Sequence, residues 1–245
     1  MKNITIFGLS LLVLLSACKK DNDPVIETSK KLVKMTNATK ESDFTVIEYD
    51  AQGRVTKSAD ESDEVTITYN GNEVKIKEWR TTENREVFSF TGKLNEKGNL
   101  TEGTAISQYN QSSVEGLTFK FEYNNDGYMT KKTRTSSNGD VYVYEYTYSK
   151  GNMTAYKVYR NGTFDWGGTW EYSDTPADKS NLNWEQFNCA NKFTGKTNKL
   201  LPSKYTGSTG WYVNFTYTVD GNGYPSSVTS TYDDGDVYKF LYTFE

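Results

Sequence analysis

Apolar and polar residues alternate with a period of two along most of this chain, the signature of strands with one buried face. Val65, Ile67 and Tyr69 point one way while Thr66 and Thr68 point the other, and Asn70-Gly71-Asn72 then turns the chain into residues 73–77. Asn-Gly marks a tight hairpin because both positions tolerate positive φ. The unit recurs over 44–49, turn 50–53 and 54–57, then over 119–123, turn 124–127 and 128–134. It returns over 142–148, turn 149–151 and 152–160, and over 211–219, turn 220–223 and 224–232, with 238–244 following. So many consecutive hairpins build an antiparallel sheet that curls or closes, since open edges invite pairing. The pattern predicts an all-β domain over 31–245, a strongly curved antiparallel meander or soluble barrel of about a dozen strands.

One segment breaks the rhythm. After a strand over 170–176, residues 178–180 offer caps, and Leu182, Phe187, Cys189, Ala190 and Phe193 fall within half a helical wheel. A short helix near 181–193, packed on the aromatic face, is the expectation. That face points inward. Tyr142, Tyr144, Tyr146 and Tyr148 line one side of a single strand, and a phenol at mid-bilayer finds no hydrogen-bond partner. A membrane-spanning barrel would confine its aromatics to two girdles, whereas Lys120, Glu122, Glu145 and Lys239 occupy the opposite faces here.

The first residues read differently. Lys2 precedes an apolar run over 4–15, which as a helix spans roughly 18 Å, short of a ~30 Å hydrocarbon core. That length fits a secretory signal over 1–17. The run ends in Leu15-Ser16-Ala17-Cys18, which resembles the lipobox of bacterial lipoproteins, and the resemblance implies diacylglycerol on the Cys18 thiol. Acyl chains contribute about 0.8 kcal/mol per buried CH₂, so the implied partner is a membrane, reached through palmitate-type chains. Residues 18–30 would then be lipidated Cys and tether. Lys19-Lys20-Asp21-Asn22-Asp23 resembles the polar stretch that sends some lipoproteins to the outer surface, and equally suits a solvated linker. Lys19 is not the Asp that retains lipoproteins in the inner membrane, so an outer-membrane location is implied, facing the periplasm or the cell surface.

Composition removes several chemistries. With no His in 245 residues, Ser-His-Asp and Cys-His catalysis, His-based metal sites and a histidine pH switch are all excluded. A net charge of −4 disfavours nucleic acid as a partner. With Cys18 acylated, Cys189 has no cysteine partner within the chain. The acidic runs over 60–64 and 233–236 lack the spaced loop and distal Glu of a Ca²⁺ site and read as turns. No metal or cofactor is expected.

Aromatic residues reach 15% of the chain, and its five Trp suit stacking on sugar rings. Trp166 and Trp170, in Trp166-Gly167-Gly168-Thr169-Trp170, form the best patch, because paired glycines let a ligand or a neighbouring strand approach; Trp211 is the third candidate. Packing at a β-bulge is the competing account.

The lipobox, the Tyr-Asx-Gly hairpins, and the 170–176 strand leading to Leu201-Pro202-Ser203-Lys204 together resemble a family of uncharacterised bacterial lipoproteins with a porin-like fold. That family implies a fold and no activity. Residues 49–56 also resemble the tyrosine-aspartate repeat of bacterial surface and toxin-shell proteins, with degenerate copies at 123–130 and 217–224. The expected function is a lipid-anchored envelope protein acting as a non-catalytic binding or adhesion module for a glycan or a protein. A carbohydrate-active enzyme using paired carboxylates and a structural shell component are the alternatives.

Overall fold

A computed structural model describes residues 30–110, 113–177 and 192–245. Sixteen strands follow one another in chain order. The first six are β1 (Leu32–Asn37), β2 (Lys40–Tyr49), β3 (Val55–Ala59), β4 (Asp63–Asn70), β5 (Glu73–Arg80) and β6 (Arg85–Leu94). Next come β7 (Leu100–Ser107), β8 (Glu115–Tyr123), β9 (Met129–Ser136), β10 (Val141–Ser149) and β11 (Asn152–Arg160). The last five are β12 (Thr163–Pro176), β13 (Leu200–Gly207), β14 (Tyr212–Val219), β15 (Pro225–Tyr232) and β16 (Val237–Phe244). Each pairs antiparallel with its chain neighbours, and β1 pairs with β16, so the sheet is a closed barrel without edges.

The barrel thus has sixteen strands where the sequence pattern predicts about a dozen. The shortfall has a physical cause. Inner positions of β7 are Gly103, Ala105 and Ser107, which mutes the alternation, and Gly103 has no room for a side chain because the Phe90 ring lies over it. A Cβ on Gly103 would stand 2.4 Å from that ring, and one on Gly92 would stand 2.6 Å from it. The predicted helix at 181–193 falls mostly outside the described residues, as does Cys189. Among the described residues there is no α-helix, and the end of that segment is a single 3₁₀ turn, Lys192–Thr194.

The inner face is apolar in register. Ile67 opposes Ile76, Ile76 opposes Phe90, Phe90 opposes Ala105, and Ala105 opposes Leu117, a row across five strands. Phe90, Ile67 and Ile76 are at most 2% exposed, so side chains rather than solvent fill the lumen at this level. Sixteen-stranded barrels that conduct leave an aqueous channel there. Outside, charges oppose each other across strands. Lys93 bonds Glu102 at 2.7 Å, and Glu122, Lys131, Glu145 and Lys157 stand in one cross-strand row over β8 to β11.

The recurrent Tyr-Asx-Gly element is a turn. Asp50 Oδ1 accepts the Gln52 and Arg54 backbone N–H groups at 3.0 and 2.9 Å. Asp220 Oδ1 accepts those of Asn222 and Tyr224, both at 2.9 Å. Asn95 repeats the arrangement with Lys97 and Asn99. Each closes through a glycine at positive φ, such as Gly53 at 75° and Gly223 at 85°, where a Cβ would be strained. The turns of this kind lie at one end, where the barrel also receives the chain, because Lys31 and Glu245 exchange backbone hydrogen bonds. Residues 192–199 lie across that end. Phe193 is buried and meets Tyr69 of β4 with ring centroids 6.4 Å apart, while Lys196 N–H donates to the Gly127 carbonyl. We call this the sealed end and the opposite one the rim.

Candidate functional site

The two ends differ in what they leave in water. Of thirteen large apolar side chains exposed among the described residues, all but Val219 and Leu241 stand at the rim. The three Trp candidates converge there on one wall, formed by β11, β12 and β13. Rings follow each other from Trp166 to Tyr156 (centroids 5.3 Å), Tyr156 to Tyr205 (6.2 Å) and Tyr205 to Trp211 (5.0 Å). Trp166 and Trp211, at the two ends of this row, are 44% and 43% exposed.

Glycine makes the row possible. Gly168 of β12 sits directly opposite Gly207 of β13. A Cβ at Gly168 would stand 2.4 Å from the Tyr205 ring, and one at Gly207 would stand 2.4 Å from the Trp211 indole nitrogen. The rings therefore occupy the space that side chains at these two positions would need, an arrangement that rescues strand glycines. Trp170 takes a different place. It is held between Tyr205 (4.7 Å) and Phe215 (6.2 Å, stacked), with its indole N–H buried and unpartnered among the described residues. The structure thus makes Trp170 the packed floor of the patch, and leaves Trp166 and Trp211 as its open faces.

Beside the row, β9 and β10 bring cations to the same inner wall. Arg134 opposes Tyr142 and lies 4.2 Å from its ring centroid; Lys132 opposes Tyr144 at 4.0 Å. Tyr144 in turn meets Trp166 edge-on at 6.5 Å. Arg160 also reaches Tyr142, at 5.6 Å, and donates to Asp140 at 2.7 Å, which with Asn161 holds that carboxyl below its usual range. Burial pushes the Tyr144 phenol up, with the Arg134 charge working against it.

Across the rim, the Tyr109 hydroxyl donates to Glu78, and Tyr109 stacks on Phe88 at 6.2 Å. Burial raises the Glu78 carboxyl above its ordinary value, chiefly by desolvation. Its neighbour Asp63 is paired with Arg80 at 3.2 Å. Among the described residues no group of three metal-ligating side chains forms. The acidic runs act as turn acceptors, with Asp60 Oδ1 taking the Ser62 and Asp63 N–H groups at 2.8 Å.

Sequence reasoning finds the Trp residues and misses Tyr156, Tyr205, Lys132 and Arg134. No local signal marks the last two, because Met129–Ser136 is polar on both faces and only its pairing with the Tyr-rich β10 shows which side is inward.

This closed barrel with a filled lumen is similar to two solved structures. One is a porin-like protein from Bacteroides uniformis ATCC 8492, with TM-score 0.65 and 18% identity, covering 87% of this chain and 96% of that one. The other is a porin-like protein from Bacteroides vulgatus ATCC 8482, with TM-score 0.62 and 14% identity, covering 88% of this chain and 99% of that one. At these identities the likeness shows a porin-like fold, as the lipoprotein resemblance implies. No protein-family model and no curated protein matches the chain. The likeness to tyrosine-aspartate repeats finds no support; a shared five-residue turn accounts for what recurs.

Proposed function

We propose that this protein is a lipid-anchored outer-membrane barrel that stands in water and binds glycan at its rim without turning it over. The observation that carries the reading is the row from Trp166 to Trp211, two exposed indoles joined by packed tyrosines over a glycine floor. A saccharide ring presents a C–H face that stacks on an indole, and a rigid aromatic needs little ordering to receive it. The outer wall supports an aqueous setting. Glu145 stands at the middle of β10 between Lys131 and Lys157, and a lysine at mid-bilayer costs about 2–4 kcal/mol. Membrane attachment then falls to Cys18, whose lipobox supplies the anchor. Because the chain joins the barrel at the sealed end, beside Glu245, an anchor there presents the rim away from the bilayer.

At the rim Glu78 accepts from Tyr109 and Asp63 pairs with Arg80, and release of reducing ends is what would divide hydrolysis from binding. The test uses full-length protein in detergent on a glycan array, with release of reducing ends followed in parallel. Retention without release, lost in Trp166→Ala and Trp211→Ala, is the expected result; reducing-end release would move the protein to the enzymes. Metabolic labelling with a palmitate analogue, absent in Cys18→Ala, checks the anchor.

A further inference from the structure

We infer that the saccharide taken at the rim is acidic, with a carboxylate held by Arg134 and Lys132 while its ring lies on Trp166. This inference rests on the glycan reading above and names the chemical class. Its basis is charge placement. The chain is acidic overall, at −4, yet β9 and β11 direct Lys132, Arg134 and Arg160 onto one stretch of inner wall. Asp140 neutralises one of them, Arg160, at 2.7 Å, and Asp165 contributes a second nearby carboxylate through space. Arg134 has no ion pair among the described residues, and its Nε is buried without a hydrogen-bond acceptor.

The buried Nε–H is short of an acceptor there, and a polar group taken out of water is favourable only when a partner meets it. The Tyr142 ring compensates in part, as a cation–π contact does. What a tyrosine face cannot supply is an acceptor for the N–H groups, and a carboxylate supplies two in the fork geometry that Arg matches. The neighbouring Tyr144 ring bridges the cations to Trp166, since Lys132 sits 4.0 Å over it and the indole meets it edge-on. Cation and stacking surface are therefore one ring apart, as a six-membered sugar with a carboxyl on its C5 requires.

The probes are oligogalacturonate, the neutral galactose oligomer of the same linkage, and dextran sulfate, each titrated into full-length protein in detergent. Oligogalacturonate should bind at least about tenfold more tightly than the neutral oligomer, and weaken as salt is raised. Arg134→Gln should remove that preference and the salt dependence. Arg134→Lys, read with the melting curve of each variant, separates a lost charge from a misfolded wall, because it keeps the charge and should restore part of the preference. Equal binding of acidic and neutral oligomers, or a preference that survives Arg134→Gln, overturns the acidic class and leaves the glycan reading standing. Dextran sulfate binding more tightly than oligogalacturonate would reassign the anion from carboxylate to sulfate. Failure of all three probes to bind would overturn both readings together.

Discussion

The two ends of the barrel use the same residue types to opposite effect. At the sealed end the aromatic side chains are buried or half-buried, and three tyrosines there are tied to backbone. Tyr49 donates to the Leu32 carbonyl at 2.6 Å, Tyr69 to the Val55 carbonyl at 3.1 Å, and Tyr172 to the Met153 carbonyl. Phe193 closes over them at 3% exposure. At the rim, Trp166, Trp211 and Tyr238 are each more than two-fifths exposed. Exposed aromatics that cluster at one end of a structure mark a surface kept for something else. One end thus carries buried, closed packing and the other an open aromatic surface, and substitutions should separate the two.

The largest effect belongs to the filled interior below the sealed end. Phe90→Ala removes a ring that covers both Gly92 and Gly103, leaving bare backbone and a void. A cost of about 3–5 kcal/mol is expected, on the order of 10 °C in Tm for a domain of this size. Trp211→Ala at the rim should move Tm by less than about a quarter of that, yet abolish retention on glycan. Thermal denaturation and array binding of the two variants check the pair. A Trp211→Ala protein that melts as early as Phe90→Ala would make the rim part of the core and remove the distinction.

A polar pair sharpens the comparison at smaller cost. Asn152 Oδ1, buried at the sealed end, accepts the Lys199 and Leu200 backbone N–H groups at 2.8 and 2.9 Å and so fixes where the covering segment meets β13. Asn152→Ala strands the Leu200 N–H and leaves the Lys199 N–H only its 3.2 Å bond to the Gly151 carbonyl, and a loss of about 2 kcal/mol is expected. Asn138 makes the same kind of bond at the rim, to the Asp140 N–H at 3.0 Å, but in solvent. There Asn138→Ala should cost about 0.5 kcal/mol, since water replaces the lost acceptor. Urea denaturation resolves the two values.

Much of this organisation is legible in the sequence, and the parts that are not have identifiable causes. Hairpins with a Tyr-rich strand and an Asx-Gly turn announce themselves, because both signals are local. β6 and β7 are harder to read, since Gly92 and Gly103 stand where alternation demands bulk, and only the Phe90 ring lying over both explains them. The Trp positions are visible as candidates. Their division into two open faces and one packed floor is not, because it depends on Tyr205, which comes from a strand about forty residues after Trp166. Arg134 is the extreme case. Its strand carries Lys131 outward and Lys132 inward side by side, and nothing but cross-strand register tells which one meets the tyrosines.

The smallest predicted effect tests whether the rim sacrifices stability. Glu78 lies half-buried there, its carboxyl raised chiefly by desolvation, with Asp63 pushing the same way and the Tyr109 hydroxyl and Arg80 opposing. A carboxyl whose folded value lies above the unfolded one, about 4.3, binds its proton more tightly when folded. Its favourable contribution is therefore complete below about pH 4 and disappears as pH rises through the raised folded value. At pH 7 the ionised group opposes folding. Glu78→Gln keeps a carbonyl to accept the Tyr109 proton and removes the charge, so it should raise Tm at pH 7 and leave it unchanged below about pH 4. A variant that melts lower at pH 7 would mean that Arg80 and Tyr109 hold the anion at a profit. The rim would then be braced by its charges like any structural surface, and the contrast with the sealed end would rest on the indoles alone.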